Sequence, residues 1–424
     1  MPGGHLSTAK FRPPEINVGV VGHVDHGKTT LVQALTGIWT ARHSKEIERG
    51  MTIFLGYADG NIAYCADVEP PDAYTIELTC PGGSEAVLLR RVSYVDAPGH
   101  EAYMTTMLSG AMVMDGAILV IAANEPCPQP QTVEHLMALE VLGVNHVVIV
   151  QNKIDVVSRE HALKNYEEIR NFVRGTVAES APIIPVSALH RINIDVLLQA
   201  IQETVPAPQR DPAKPPIMYV VRSFDINRPG TPYNMIQGGV IGGSLLQGKL
   251  RVGDEIVILP GVKTPKETGK ARTYTYEPVT TVIEEIRYGD LQVEEALPSG
   301  LVAIRTTLDP SLTKADQLVG SVVTKPGNDV PVTTAIGILY HELERVVGIR
   351  GQPIKLSPLQ AGEKVIVAIG SAIRVASIKS TRKDYVEIKL DEPVAAWRGS
   401  RIALGRRVMA RWRLAGWGIV QDVY

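Results

Sequence analysis

Several short runs in the first half of this chain hold residue types at spacings that suit phosphate and purine chemistry. Gly22-His23-Val24-Asp25-His26-Gly27-Lys28-Thr29 fits the pattern G-x-x-x-x-G-K-[ST]. Between a strand and a helix, such a loop turns backbone N–H groups and the helix dipole toward phosphate oxygens. Lys28 would reach the β/γ oxygens and the Thr29 hydroxyl would ligate Mg²⁺. Val95-Asp96-Ala97-Pro98-Gly99-His100 ends an apolar run. An Asp there can hold Mg²⁺ through water, and Gly99 lets its backbone N–H approach a γ-phosphate. Alone, D-x-x-G is a common turn; behind a phosphate loop it reads as a γ-phosphate sensor.

Asn152-Lys153-Ile154-Asp155 ends another apolar run. The Asp155 carboxylate can accept hydrogen bonds from N1–H and N2–H₂ of guanine, which adenine cannot offer. The Lys153 stem can lie along the base plane and Asn152 can hold neighbouring loops. Ser187-Ala188-Leu189 would support the base through backbone N–H groups. Arg49-Gly50-Met51-Thr52 lies in a charged segment. Thr52 could give its hydroxyl to Mg²⁺ and its backbone to the γ-phosphate, so that the loop orders only when that phosphate is present. Read one at a time, these are turns and loop residues. Their order along the chain is the one a GTP-dependent switch requires.

The elements that must position these residues follow from hydrophobic pattern. Strand-like runs at Ile16–Val21, Val87–Val95, Ala117–Ala123, His146–Gln151 and Ile183–Val186 alternate with helix-like segments at Thr29–Leu35, Glu101–Val113, Gln131–Leu142, Arg159–Arg174 and Ile194–Val205. Strand–helix alternation predicts a mostly parallel sheet with helices on both faces, an α/β P-loop domain whose ligand lies beyond the carboxyl ends of the strands. A proline-rich linker, Pro206 to Pro216, closes it. Beyond it, short alternating runs broken by Gly and Pro, such as Val220–Phe224 and Glu255–Leu259, predict all-β barrels, with a weaker break at Thr324–Pro331. The expected domains are 1–209, a β-barrel at 210–327 and a second at 328–424.

The chain has 424 residues, a formal net charge of −2 and 3 cysteines. Near-neutral charge argues against a protein that coats nucleic acid by charge alone. Too few cysteines exist for a disulfide framework, which points to a reducing cytosol. The first residues, MPGGHLSTAKFRPPE, carry no apolar signal core, and no apolar run reaches the roughly 20 residues that span a bilayer. A soluble, cytoplasmic protein without a membrane partner is expected.

GHVDHGKTT, the R-G-x-T loop and D-x-P-G-H together resemble the translational GTPases, the family of elongation factor Tu. Gly238–Gly248 with Arg251-Val252-Gly253-Asp254-Glu255 is similar to the signature of that family's second domain. A closer resemblance, to the gamma-subunit family of archaeal translation initiation factor 2, rests on residues 43–59, 96–132, 148–158, 222–231, 308–321 and 411–420. The short N-terminal segment favours the archaeal over the eukaryotic form. The resemblance implies a GTPase that forms the core of a heterotrimer with alpha and beta subunits. Alpha docks on the second domain and beta on the GTPase domain. With GTP bound it carries methionylated initiator tRNA to the small ribosomal subunit, and hydrolysis releases the tRNA. By position, Val24, Asp25, His26, Gly27, Lys28, Thr29 and Thr30 would cradle the phosphates, while Asn152, Lys153 and Asp155 with Ser187, Ala188 and Leu189 would read guanine. Thr29 and Thr52 would hold the central Mg²⁺, with Asp96 acting through water. Asp25 and the Gly50 carbonyl match positions that hold a second cation, which makes sense of a carboxylate inside a phosphate loop. His100 would position the attacking water beside Gly99 and Thr52, with Val24 and Met51 as an apolar gate; many relatives carry Ile at Met51.

The chain departs from the resemblance at residues 65–83. Relatives often carry two Cys-x-x-Cys pairs that bind zinc, whereas here only Cys65 and Cys80 remain. Two thiolates cannot complete a closed tetrahedral site, and Asp67 is a poor substitute, so a loop without zinc is expected. Cys127 reads as incidental. Near the end, Arg398, Arg401, Arg406, Arg407, Arg411 and Arg413 interleave with Trp397 and Trp412. They suit either a phosphate-contacting edge or the solvent face of a barrel. Two other functions fit the motifs: an elongator-type carrier of many aminoacyl-tRNAs, and a scaffold subunit that holds GTP with negligible hydrolysis.

Overall fold

The computed structural model describes residues 12–40, 55–100, 104–268, 271–343, 346–347, 353–354, 356–408 and 411–424. Its first unit is built from β1 (Ile16–Gly22), α1 (Lys28–Thr36), β2 (Gly56–Tyr64), β3 (Tyr74–Thr75), β4 (Val87–Asp96), α2 (Met104–Ala111) and β5 (Gly116–Ala122). It continues through α3 (Pro130–Leu142), β6 (Val147–Asn152), α4 (Arg159–Val173), β7 (Ile183–Pro185) and α5 (Ile194–Thr204). The strands lie in the order β3-β2-β4-β1-β5-β6-β7. β1 runs parallel to both β4 and β5, and β6 and β7 continue the parallel set.

Side chains alternate across the pleat. Val18, Val20, Ile118, Val120, Val148 and Val150 pack on Leu31, Val32, Leu197 and Ile201 of α1 and α5. Val21, Leu119, Ile121, Val147 and Ile149 pack on Met107, Leu136, Leu139 and Ile169 of α2, α3 and α4. Burial on both faces is why β5, and β1 apart from Asn17, read as apolar runs. Each such Val, Leu or Ile contributes about 1.5–3 kcal/mol. The chain leaves β1 and β5 in neighbouring positions and returns on opposite faces, so the crevice beyond their carboxyl ends opens beside the Gly22–Thr29 loop.

β2 was not legible from pattern. Its GYADGNIAY sequence mixes Gly, Asp and Asn, and it pairs antiparallel with β4 toward the sheet edge. Between β2 and β4, Cys65 and Cys80 are joined in a disulfide with Cα atoms 5.8 Å apart. They pack with Ala63 and Ala86 in a small satellite cluster. Asp67 lies beside them and accepts a hydrogen bond from Ser84 at 3.2 Å. A short paired loop thus brings together two cysteines that the sequence alone did not pair.

Two closed antiparallel six-strand barrels follow, as the β texture predicts. The first is made from Ile217–Phe224, Val240–Gln247, Glu255–Thr268, Ala271–Tyr288, Leu301–Thr306 and Val322–Thr324. The second is made from Val332–Glu342, Lys364–Ile369, Ala372–Arg382, Tyr385–Ala395, Arg401–Val408 and Arg411–Val423.

Buried polar contacts fasten the first barrel to the α/β unit. The Asn17 amide donates to the Val113 carbonyl (2.9 Å) and the Ser244 hydroxyl (3.1 Å). Arg210 in the linker reaches Asp115 and the Ser299 carbonyl, both at 2.6 Å. The Gly300 N–H donates to the Pro14 carbonyl and the Leu301 N–H to the Ser93 hydroxyl. The second barrel instead grips α3. Arg413 pairs with the buried Glu134, and Arg401 donates to the Val141 and Glu140 carbonyls while stacking on Trp417.

Candidate functional site

The loop after β1 turns back because Gly22, Asp25 and Gly27 take positive φ values of 142°, 59° and 87°. A Cβ on Gly22 would stand 2.3 Å from the Val120 carbonyl oxygen, so only glycine fits there. α1 then starts at Lys28 with no side-chain cap, which leaves its first N–H groups directed at the loop's concavity. Lys28 is buried and donates to the His23 carbonyl at 2.6 Å. Burial pulls its ammonium down to about 8, against the opposing pull of Asp96 and Asp25. Phosphate oxygens would restore that charge and offer the ammonium a stronger partner than a peptide carbonyl.

Gly99 lies against this loop. A Cβ there would fall 2.5 Å from Lys28 Nζ and 2.9 Å from the Val24 nitrogen, so D-x-x-G and the phosphate loop share one surface. Asp96, at the end of β4, accepts hydrogen bonds from Thr29 Oγ1 (2.8 Å) and Thr40 Oγ1 (2.7 Å). Two hydroxyls and a carboxylate form a hard-oxygen set that suits Mg²⁺. His100 follows, exposed. Gly50, Met51 and Thr52 lie outside the described residues, as do 101–103. Asp25 is exposed on the loop, and Val24 and Thr30 are half-buried.

The residues expected to read the base converge from two strand ends. Asn152 at the end of β6 is buried; its Nδ2 donates to the His26 carbonyl (2.9 Å) and its Oδ1 accepts from the Ala188 N–H (3.0 Å). One amide thus ties the phosphate loop to the Ser187–Leu189 turn. Lys153 takes a left-handed conformation, φ 63°, which delivers Asp155 into a short 3₁₀ turn. The hydrogen bond from Ser187 holds the Asp155 carboxyl below the usual range, with a smaller contribution from His190 at 3.7 Å. An ionised acceptor is the form that guanine's N–H donors need. Ser187 and Ala188 are buried, and Leu189 is exposed.

Sequence pattern missed two contributors, Thr40 and His135, and the anchoring role of His26. Thr40 lies past the end of α1 with no motif around it, yet shares Asp96 with Thr29. His135, on α3, accepts the Gly22 N–H. His26 donates its Nδ1–H to the Val120 carbonyl at 3.0 Å, and burial pulls the imidazole down to about 4. The loop's "x" positions therefore include a structural anchor.

In the C-terminal arginine run, Arg401, Arg406 and Arg413 are committed inside the molecule. Arg406 is buried and forks onto Glu363, while Arg401 and Arg413 bind α3. Only Arg398, Arg407 and Arg411 are exposed. Trp397 stacks on Tyr219 of the first barrel. Two of these arginines, Arg401 and Arg413, are interdomain structure, and Arg406 ties the second barrel to itself.

Comparison with known proteins agrees with this arrangement. The family described as elongation factor Tu GTP binding domain matches residues 14–207, and initiation factor eIF2 gamma, C terminal, matches 334–420. Translation initiation factor 2 subunit gamma of Aeropyrum pernix is 56% identical over 418 residues, covering 98% of this chain and 100% of the relative. The same subunit of Pyrococcus horikoshii is 53% identical over 414 residues, covering 97% and 99%. Among solved structures, a bacterial selenocysteine-specific elongation factor EF-Sec superposes with a TM-score of 0.71 at 24% identity, over 95% of this chain and 58% of that one. Elongation factor SelB of Methanococcus maripaludis with the GTP analogue GPPNHP gives 0.71 at 23% identity, over 98% and 80%. Those two likenesses concern fold. The site geometry, the two family matches and the near-full-length identities together place the chain in the translation initiation factor 2 gamma-subunit family, a family of translational GTPases.

Proposed function

We propose that the protein is a GTP-switched carrier of methionylated initiator tRNA to the small ribosomal subunit, working in the cytoplasm as the core of a heterotrimer with alpha and beta subunits. The domain limits are taken as 1–209, 210–327 and 328–424. The Asn152 bridge between the phosphate loop and the guanine-reading turn is the observation that carries the GTP chemistry. Val24–Thr30 hold the phosphates, and Asp155 with Lys153 and Ser187–Leu189 selects guanine. Thr29 and Thr52 would hold Mg²⁺, with Asp96 behind, and Asp25 and the Gly50 carbonyl a second cation. Bound there, the ions would neutralise charge on the phosphates.

His100 orients the attacking water beside Gly99. The switch segments, ordered by the γ-phosphate, set the affinity for tRNA. A cleft of about 450 Å³ between the α/β unit and the first barrel supports the cargo reading. Tyr57, Phe224, Arg91 and Arg222 line it together with Asp59 and Asp290, and Arg91 pairs with Asp59 and Arg222 with Asp316. Rings for stacking and polar groups for a ribose are thus both present for an aminoacylated terminal nucleoside.

Phosphate release in single turnover, with ribosomes and partner subunits present, separates this reading from a non-hydrolysing scaffold. His100→Ala should slow release by about 10²-fold or more while GTP affinity stays within about threefold. Background release by the native protein under those conditions would establish the scaffold.

A further inference from the structure

We propose that His135 is a positioning residue for nucleotide binding: from α3 it holds the first peptide of the phosphate loop in the conformation that points the loop's N–H groups inward. The inference rests on reading Gly22–Thr29 as the phosphate loop.

The Gly22 N–H donates to His135 Nδ1 at 2.8 Å, and both residues are buried. Gly22 is the residue at which β1 stops being a strand, with φ at 142° and no room for a Cβ. Its N–H therefore leaves the sheet ladder and needs another acceptor, because a buried unpaired N–H is costly. An imidazole nitrogen can accept only when it carries no proton, and deep burial favours that neutral form by pulling His135 down to about 3.

The support is stiff. α3 begins with Pro130 at its first turn and ends on Gly143 in a left-handed C-cap. Arg413 holds Glu134, the residue beside His135, and Arg401 holds the last carbonyls of the helix. On its other flank the loop is fixed by Asn152 and by His26 on Val120. His135 is thus the one α3 side chain described as bonded to the loop backbone, and it fixes the end of the loop that Asn152 does not reach.

The test is release of a fluorescent GDP from the full chain at fixed Mg²⁺, with thermal unfolding followed in parallel. His135→Leu and His135→Phe both remove the acceptor, and the second keeps a ring of similar size. Each should release GDP about tenfold faster, because the free loop is no longer held in the conformation that binds phosphate. His135→Asn, whose amide oxygen can accept from Gly22, should come back to within about threefold of the native rate. If both apolar variants unfold, slow hydrogen exchange of the Gly22 amide in the native chain, retained in H135N, carries the test instead. Native release rates in H135L and H135F would overturn the inference. So would H135N releasing GDP as fast as they do, since packing rather than the acceptor would then matter. Lys28→Ala should abolish binding; if it does not, the phosphate-loop reading falls first and this inference with it.

Discussion

Asp155 is the residue on which the proposed base choice turns. Its carboxyl is held ionised by Ser187 and placed by the left-handed Lys153. Asp155→Asn should weaken GTP binding by about 10²-fold, since two charge-assisted hydrogen bonds are lost, and should admit xanthosine triphosphate, whose carbonyl matches an amide donor. Equilibrium titration with both nucleotides reads this directly; unchanged GTP affinity would remove Asp155 from the base site. Asp155, Asn152, Lys28 and Gly99 were all legible in the sequence, because motif chemistry depends on residue type at short range. Thr40 and His135 were not. Their roles depend on which strands lie next to β1, and no local pattern records that neighbour.

At the scale of elements, α3 joins two parts of the molecule. It carries His135 against the phosphate loop and presents Glu134 and its last carbonyls to the second barrel. The buried imidazole also has a pH consequence. Its proton affinity in the folded chain, about 3, lies below the ordinary 6.5 of an unfolded histidine. Between those values the unfolded state binds the proton and the folded state does not. The stabilisation is complete above about pH 6.5 and is lost as pH falls toward 3. The thermal midpoint should therefore fall as pH drops from 7 to 4, and H135N should lessen that fall by its own share, His26 and His23 contributing the rest, by differential scanning calorimetry. The central parallel strands β1, β4, β5 and β6 were legible because they are largely apolar and buried. β2 was not, since a strand next to the sheet edge with Asp59, Gly60 and Asn61 has no apolar run to read.

Across the whole molecule, the α/β unit and the first barrel are fastened through Arg210, Asn17 and Gly300, away from the residues that would sense a γ-phosphate. Arg210 and Asp115 face each other with side chains 11% and 10% exposed. Removing one partner of such a pair costs about 3–5 kcal/mol. Arg210→Ala should lower the denaturation midpoint accordingly and raise protease sensitivity in the 206–216 linker, while guanine nucleotide affinity changes by less than about threefold. The barrels were legible as barrels from texture alone, but the arginine run at the chain's end looked equally like a nucleic-acid edge. Only the packing shows that Arg401 and Arg413 hold domains together and that Arg406 is spent inside its own barrel.

The central claim is that nucleotide state governs retention of one class of tRNA. Its most direct measurement is retention of aminoacyl-tRNA by the protein assembled with alpha and beta subunits, in a non-hydrolysable GTP analogue and in GDP. The account predicts that methionylated initiator tRNA is held with the analogue and released with GDP, and that elongator aminoacyl-tRNAs are held poorly in both. Equal retention of initiator and elongator species, or retention indifferent to nucleotide, would contradict it.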